Sequence, residues 1–317
     1  MKRFALLPVF VAIAVALLSS GPLRAAETAA PPANRFAATI APAERFEIDG
    51  VLVERHGSKG RPLILIPGLA SGGWVWQETV RAFSGERAVY VLTLPGFDGR
   101  PAAGATPFAT AQAAVAKLIT QRRLDKPVIV GHSLGATMAI ALAEEQPAAI
   151  GGVVAIDGLP VFPGTENMAP AQRLAMADGM KARIAGAKPD AFASQQQAYM
   201  RAVGVVDMSK ADDLAKLTGR SDPASVAQYM ADDLKLDLRP GLKSIQGPLL
   251  LIAPWFDLDN TVQGQTITED NKRDYYRSLM AGTPKLEVVT VAPARHFAMI
   301  DQPQAVNDAI RAYLARL

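Results

Sequence analysis

At 317 residues, half of them apolar and a fifth charged, the chain has a globular balance and enough length for one large α/β core with an inserted lobe or for two modest domains. It contains no cysteine, which excludes disulfides, a cysteine nucleophile, cysteine-held metal and lipid attachment at an N-terminal cysteine. The formal charge is only +3 and no Lys/Arg-rich block is present, which argues against nucleic acid as a partner.

The first element is a leader. Lys2 and Arg3 precede an unbroken apolar run from Phe4 to Leu18, and Ser19, Ser20, Gly21 and Pro22 end it. A basic start, a short apolar run and a small-residue exit describe a secretory signal over residues 1–26, cleaved near Ala25 or Ala26. The run falls short of the roughly 20 residues that cross a bilayer, so no stable membrane span is expected after cleavage, and the protein is expected in the periplasm or outside the cell. Cleavage removes Lys2, Arg3 and Arg24 and no acid, leaving basic and acidic side chains in balance. Residues 27–44, rich in Ala and Pro, read as a flexible lead-in.

Beyond it, strands are predicted at Val51–Arg55, Leu63–Ile66, Ala88–Leu94, Pro127–Val130, Gly152–Ile156, Leu249–Ala253 and Leu286–Val291. Helical patterns fall at Trp76–Phe83, Pro107–Gln121, Leu134–Glu145, Asp270–Met280 and Pro303–Leu314. Short, uniformly apolar strands alternating with helices predict an α/β fold with a mostly parallel sheet covered on both faces. Between Pro160 and Pro240 the rhythm stops, and only Ala-, Gln- and Met-rich helical segments are visible. This predicts a helical cap over 161–240 inserted into a core of 45–160 and 241–317. Six of the ten methionines, Met168, Met176, Met180, Met200, Met208 and Met230, lie in it. They either offer a pliable surface to a substrate or fill the helices' own contacts. The repeated Ala-Asp-Asp-Leu at 211–214 and 231–234 reads as solvated helix faces.

Chemistry concentrates where the strand ending Val128-Ile129-Val130 meets Gly131-His132-Ser133-Leu134-Gly135 and a helix. Gly-x-Ser-x-Gly between strand and helix puts Ser133 on a sharp turn above the sheet, with the glycines relieving crowding and the helix N-terminus favouring an anion nearby. An alcohol nucleophile needs a base, and the chain has three histidines. His132 is expected to point away from Ser133, and His56 reads as a surface or loop residue. His296, after the last strand, is the candidate. A carboxylate must orient it. Asp257, in the turn after Leu249–Ala253, is preferred, with Asp259 and Asp157 as rivals. Trp74, Trp76 and Trp255 either line a pocket or belong to the core.

The motif, the order Ser133, Asp257, His296, and the segments Leu63–Leu69, Leu92–Gly99 and His296–Pro303 resemble the α/β-hydrolase superfamily. The likeness runs over Phe46 to Leu317 and is to its capped, serine-nucleophile, esterase- and lactonase-like branch. The resemblance implies an α/β-hydrolase fold and an oxyanion hole made by the backbone N–H groups of Leu69 and Leu134. It departs at Pro67, where a histidine is usual. It implies hydrolysis of a small-molecule carboxylic ester or lactone through an acyl-enzyme, without metal or organic cofactor. Amide or peptide hydrolysis, a lyase or perhydrolase reaction, and an inactive binding protein are the alternatives. A serine rather than aspartate nucleophile argues against haloalkane dehalogenase or epoxide hydrolase chemistry.

Overall fold

The computed structural model describes residues 34–317 apart from 260, 263 and 264. The leader over 1–26 and the start of the lead-in lie outside the described residues. From Asn34 the lead-in is tied down. Asn34 donates to the Asp213 carbonyl, the Thr39 and Ile40 amides share the Gln77 side-chain oxygen, and Ala43 donates to Arg55.

In chain order the first strands are β1 (Glu44–Ile48), β2 (Val51–His56), β3 (Leu63–Ile66) and β4 (Val89–Thr93). They are followed by β5 (Val128–His132), β6 (Gly152–Ile156) and β7 (Leu249–Pro254), a small hairpin of β8 (Thr261–Val262) and β9 (Gln265–Thr266), and β10 (Leu286–Val291). The helices of the first half are α1 (Gln77–Phe83), α2 (Pro107–Gln121) and α3 (Leu134–Glu145). Between β6 and β7 come α4 (Pro170–Ala185), α5 (Pro189–Tyr199), α6 (Met208–Thr218) and α7 (Pro223–Lys235). The chain closes with α8 (Glu269–Leu279), α9 (Ala298–Asp301) and α10 (Pro303–Leu314).

Eight strands form one sheet in the order β1-β2-β4-β3-β5-β6-β7-β10, parallel from β4 onward, with β2 antiparallel to both its neighbours. The central strands are buried throughout and mostly apolar because both faces are covered. Ile64, Ile66 and Ile129 join Leu118, Met138 and Leu142 on one side, while Leu63, Leu65, Val128 and Val130 join Trp76, Phe83 and Ile310 on the other. β1 escapes the apolar pattern for a physical reason. It is an edge strand whose Glu44, Arg45 and Glu47 stay at least partly exposed, and such charges guard an unpaired edge.

The insertion is helical, α4 to α7, with one isolated strand bridge, Val161 to Asp237, at its root. Met176, Met180 and Met230 pack around Ala177, Ala231 and Leu234 inside it, so these methionines fill helix contacts, whereas Met208 is exposed. Among the described residues no helix is long and apolar enough to cross a membrane.

α3 lies unusually close to the sheet. A Cβ on Gly135 would stand 2.3 Å from the Ile66 carbonyl oxygen, and one on Gly131 would stand 2.2 Å from the Gly135 carbonyl oxygen. Backbone cannot yield at such distances. Gly135→Ala is therefore expected to cost about 3 kcal/mol in urea unfolding, while Gly104→Ala, with nothing within 4 Å, stays near wild type.

Candidate active site

Ser133 follows β5 directly and takes φ 52° and ψ −121°, a backbone conformation that costs a non-glycine residue on the order of 1–3 kcal/mol. The surroundings enforce it. The Ser133 amide donates to the Ile156 carbonyl at 2.9 Å, and its own carbonyl accepts from the Ala136 and Thr137 amides as α3 begins. The loop after β3 closes over it, since a Cβ on Gly68 would lie 3.1 Å from the Ser133 Cβ. Leu69, next to that glycine, and Leu134, first residue of α3, are thus both placed at the serine. Leu134 lies in the first turn, whose amides have no intrahelical acceptor.

The structure selects among the candidate acids. His296 Nδ1 meets Asp157 Oδ2 at 2.6 Å, and the two side chains are only 17% and 11% exposed. Asp257 is not at the histidine. It sits in an exposed one-turn helix, where its Oδ1 accepts from Trp255 Nε1 at 2.6 Å. Asp259 is engaged by Arg295. Strand order alone does not decide it, since β7 is the strand next to β10, from whose end His296 comes. Asp157 directly abuts β6, whereas Asp257 stands in the exposed turn beyond β7, committed to Trp255. Asp157, like Ser133, has a positive φ, 47°. Burial would raise its carboxyl, but His296, the nearby Lys272 and the Tyr276 hydroxyl outweigh this and hold it well below the usual carboxylate range.

Two further side chains at this site were not assigned from sequence. Tyr276, on α8, donates its hydroxyl to Asp157 Oδ1 at 2.5 Å. Burial, together with the Asp157 charge, pushes this phenol well above its ordinary range, so it remains a donor. His132 is fully buried, and its ring faces those of His296 and Phe297 at centroid distances of 4.6 and 4.8 Å. His132 Nε2 lies 2.9 Å from the His296 carbonyl oxygen, which requires the Nε2–H form. His132 thus holds the backbone of His296 from the buried side of the elbow. His56, read as a surface residue, is buried at the end of β2.

The insertion grips the histidine loop. The His296 and Phe297 amides donate to the carbonyls of Val203 and Gly204, in a π-turn over Met200–Gly204 that follows α5. The Arg295 guanidinium donates to the Arg201 and Val205 carbonyls, and the Asp301 carboxylate accepts from the Arg295 and Val206 amides. Tyr199, at the end of α5, presents an edge to the His296 ring at 6.1 Å. Trp74, Trp76 and Trp255 are all buried, and the first two belong to the core beneath α1. No group of three or more His, Asp or Glu side chains among the described residues could hold a metal ion.

Comparison with known proteins follows the same lines. Residues 63–309 match the alpha/beta hydrolase family. Over 120 residues, 38% of this chain and 47% of the relative, the sequence is 31% identical to 2-succinyl-6-hydroxy-2,4-cyclohexadiene-1-carboxylate synthase of Escherichia coli. It is also 31% identical to pimeloyl-(acyl-carrier protein) methyl ester esterase of Vibrio campbellii over 104 residues, 33% of this chain and 39% of the relative. The chain thus spans about half or less of the length of these curated relatives. A thermophilic esterase from Thermogutta terrifontis superposes with a TM-score of 0.66 at 21% identity, over 86% of this chain and 99% of that one, a likeness of fold.

His132 supplies a test by stability. Burial first, then the neighbouring His296 charge, lowers it from 6.5 to about 3, so the folded protein keeps it neutral where the unfolded chain protonates it. Between those values the unfolded state binds the extra proton, and stability falls as pH falls, by about 1.4 kcal/mol per pH unit for this one group. His132→Gln is expected to flatten the slope of unfolding free energy between pH 6.5 and pH 4 by that amount. An unchanged slope in urea titrations across this range would show that His132 is not held neutral.

Proposed function

This chain belongs to the alpha/beta hydrolase family, and from that premise we propose that it is a serine hydrolase cleaving a small-molecule carboxylic ester or lactone through an acyl-enzyme. The observation that carries the proposal is the 2.6 Å contact of His296 Nδ1 with the Asp157 carboxylate, at the end of the strand next to the one that leads into Ser133, a serine held in a strained turn. With Nδ1–H engaged by Asp157, the lone pair of His296 lies on Nε2, the nitrogen free to take the Ser133 proton. Ser133 attacks the carbonyl carbon, and the Leu69 and Leu134 amides receive the oxyanion. Asp157 stabilises the imidazolium as it forms. His296 then returns the proton to the departing alkoxide, and water repeats the sequence on the acyl-enzyme. The ester hydrolase among the relatives supports an ester as substrate.

A second reading has its own support, because another relative is a synthase. The same residues would then catalyse a reaction that adds no water, and mass analysis of products formed in ¹⁸O-water separates the two. Only hydrolysis places the label in the acid. On the strength of residues 1–26 we also propose that the enzyme works outside the cytoplasm, with a mature N-terminus near Glu27.

Ser133→Ala is expected to abolish turnover of activated esters and labelling by a fluorophosphonate probe; labelling that persists at another residue rejects this assignment. Asp157→Asn should lower kcat by about 10⁴-fold, as loss of the orienting acid does in other triads, while Asp257→Asn stays within about twofold of wild type, as expected of a group that does not touch the base. The opposite ranking in steady-state kinetics would restore Asp257.

A further inference from the structure

We propose that Tyr276 is a positioning residue, which fixes the Asp157 carboxylate in rotation and divides its charge so that a single oxygen faces the catalytic histidine. The inference rests on the reading of His296 as general base. It goes beyond that reading by assigning to α8 a working part of the site.

The geometry is specific. Asp157 stands on a positive-φ residue at the end of β6, and its amide is used by the Ile252 carbonyl of β7, so the backbone is pinned. The side chain can still turn about its own bonds, and a carboxylate with one engaged oxygen keeps that freedom. Here both oxygens are taken. Oδ2 meets His296 Nδ1 at 2.6 Å and Oδ1 accepts the Tyr276 hydroxyl at 2.5 Å. Tyr276 is itself held in place. It is 7% exposed, and Lys272 lies 5.4 Å from its ring centre while donating to the Pro254 carbonyl at the end of β7. The neighbouring Tyr275 hydroxyl accepts from the Gly164 amide and reaches Glu166 at the root of the insertion. α8 is thereby anchored on both sides of the acid.

The charged and titratable groups around Asp157 are few. They are His296 on the loop after β10, His132 on the elbow, Lys272 and Tyr276 on α8, and Tyr199 on the insertion. Of these only His296 and Tyr276 hydrogen-bond to it. Charge drawn toward the phenol is charge not felt by the imidazole. Removing the hydroxyl concentrates the negative charge on Oδ2, favours imidazolium and leaves Oδ1 buried without a donor.

The test is the pH dependence of kcat/KM for an activated ester, with Tyr276→Phe and with a fluorinated tyrosine at position 276, each checked for folding by thermal melting. For Tyr276→Phe the acidic limb is expected to move up by about half to one pH unit, and kcat to fall about tenfold, one lost hydrogen bond to a charged group, with KM little changed. The fluorinated phenol keeps the shape and donates more strongly, so its limb moves the other way. The proton resonance of His296 Nδ1–H, read by NMR without substrate, should move downfield in Tyr276→Phe. A wild-type limb and an unmoved resonance in both variants would overturn the inference. Should Ser133→Ala retain turnover, the hydrolase reading fails by itself, and the resonance still decides whether Tyr276 acts on the Asp157–His296 pair.

Discussion

A carboxylate taken out of water must be surrounded by donors or positive charge, and the bond between Asp157 and His296 is where this chain meets that demand. The cost of burying a lone carboxylate is several kcal/mol. It is offset by an imidazole on one oxygen, a phenol on the other and an ammonium nearby. Those groups come from two other segments, the loop after β10 and α8, and both must arrive correctly for the acid to be tolerated. The same demand explains the rigidity of the site. His132 stays neutral chiefly because it is fully buried, and His296 beside it adds to the cost of a charge there.

The sheet supplies the other half of the constraint. Ser133 and Asp157 leave adjacent parallel strands in the same direction and at the same level. Each turns at once through a positive φ, so both side chains stand above the sheet edge. Gly131, Gly135 and Gly158 let neighbouring backbones approach so closely that the serine has no room for a relaxed conformation. A Cβ at Gly158 would sit 2.4 Å from the Ser133 carbonyl oxygen. Strain of this kind persists only where the surroundings overdetermine it. Here strand pairing, helix packing and glycine spacing all do so.

Much of this was legible in the residues. The buried strands announce themselves as apolar runs, and the elbow as a serine between glycines. His296 followed because three histidines leave few choices. The choice of acid was not legible. Asp157 and Asp257 both follow a buried strand, and only the course of the loops above the sheet, with the His296 amide held by the insertion, brings the first to the histidine. A local sign existed in Ile156-Asp157-Gly158, where the acid directly abuts the strand as Ser133 does, whereas Asp257 stands three residues beyond Pro254. Tyr276 gave no signal, since it meets its partner across 119 residues of chain and shares no motif with it. β1 was missed because its charged and apolar residues alternate at a guarded edge.

The backbone of His296 belongs to two parts of the molecule at once. His296 rises from the end of the sheet, yet its amide and that of Phe297 are spent on carbonyls of the helical insertion. The insertion is therefore not a detachable roof resting on a finished machine. A lineage that lengthened, shortened or exchanged these helices would at the same stroke shift the His296 imidazole. Change around Met200–Gly204 should accordingly be slow, and variation should gather in the outer helices, where α4 packs chiefly on α7.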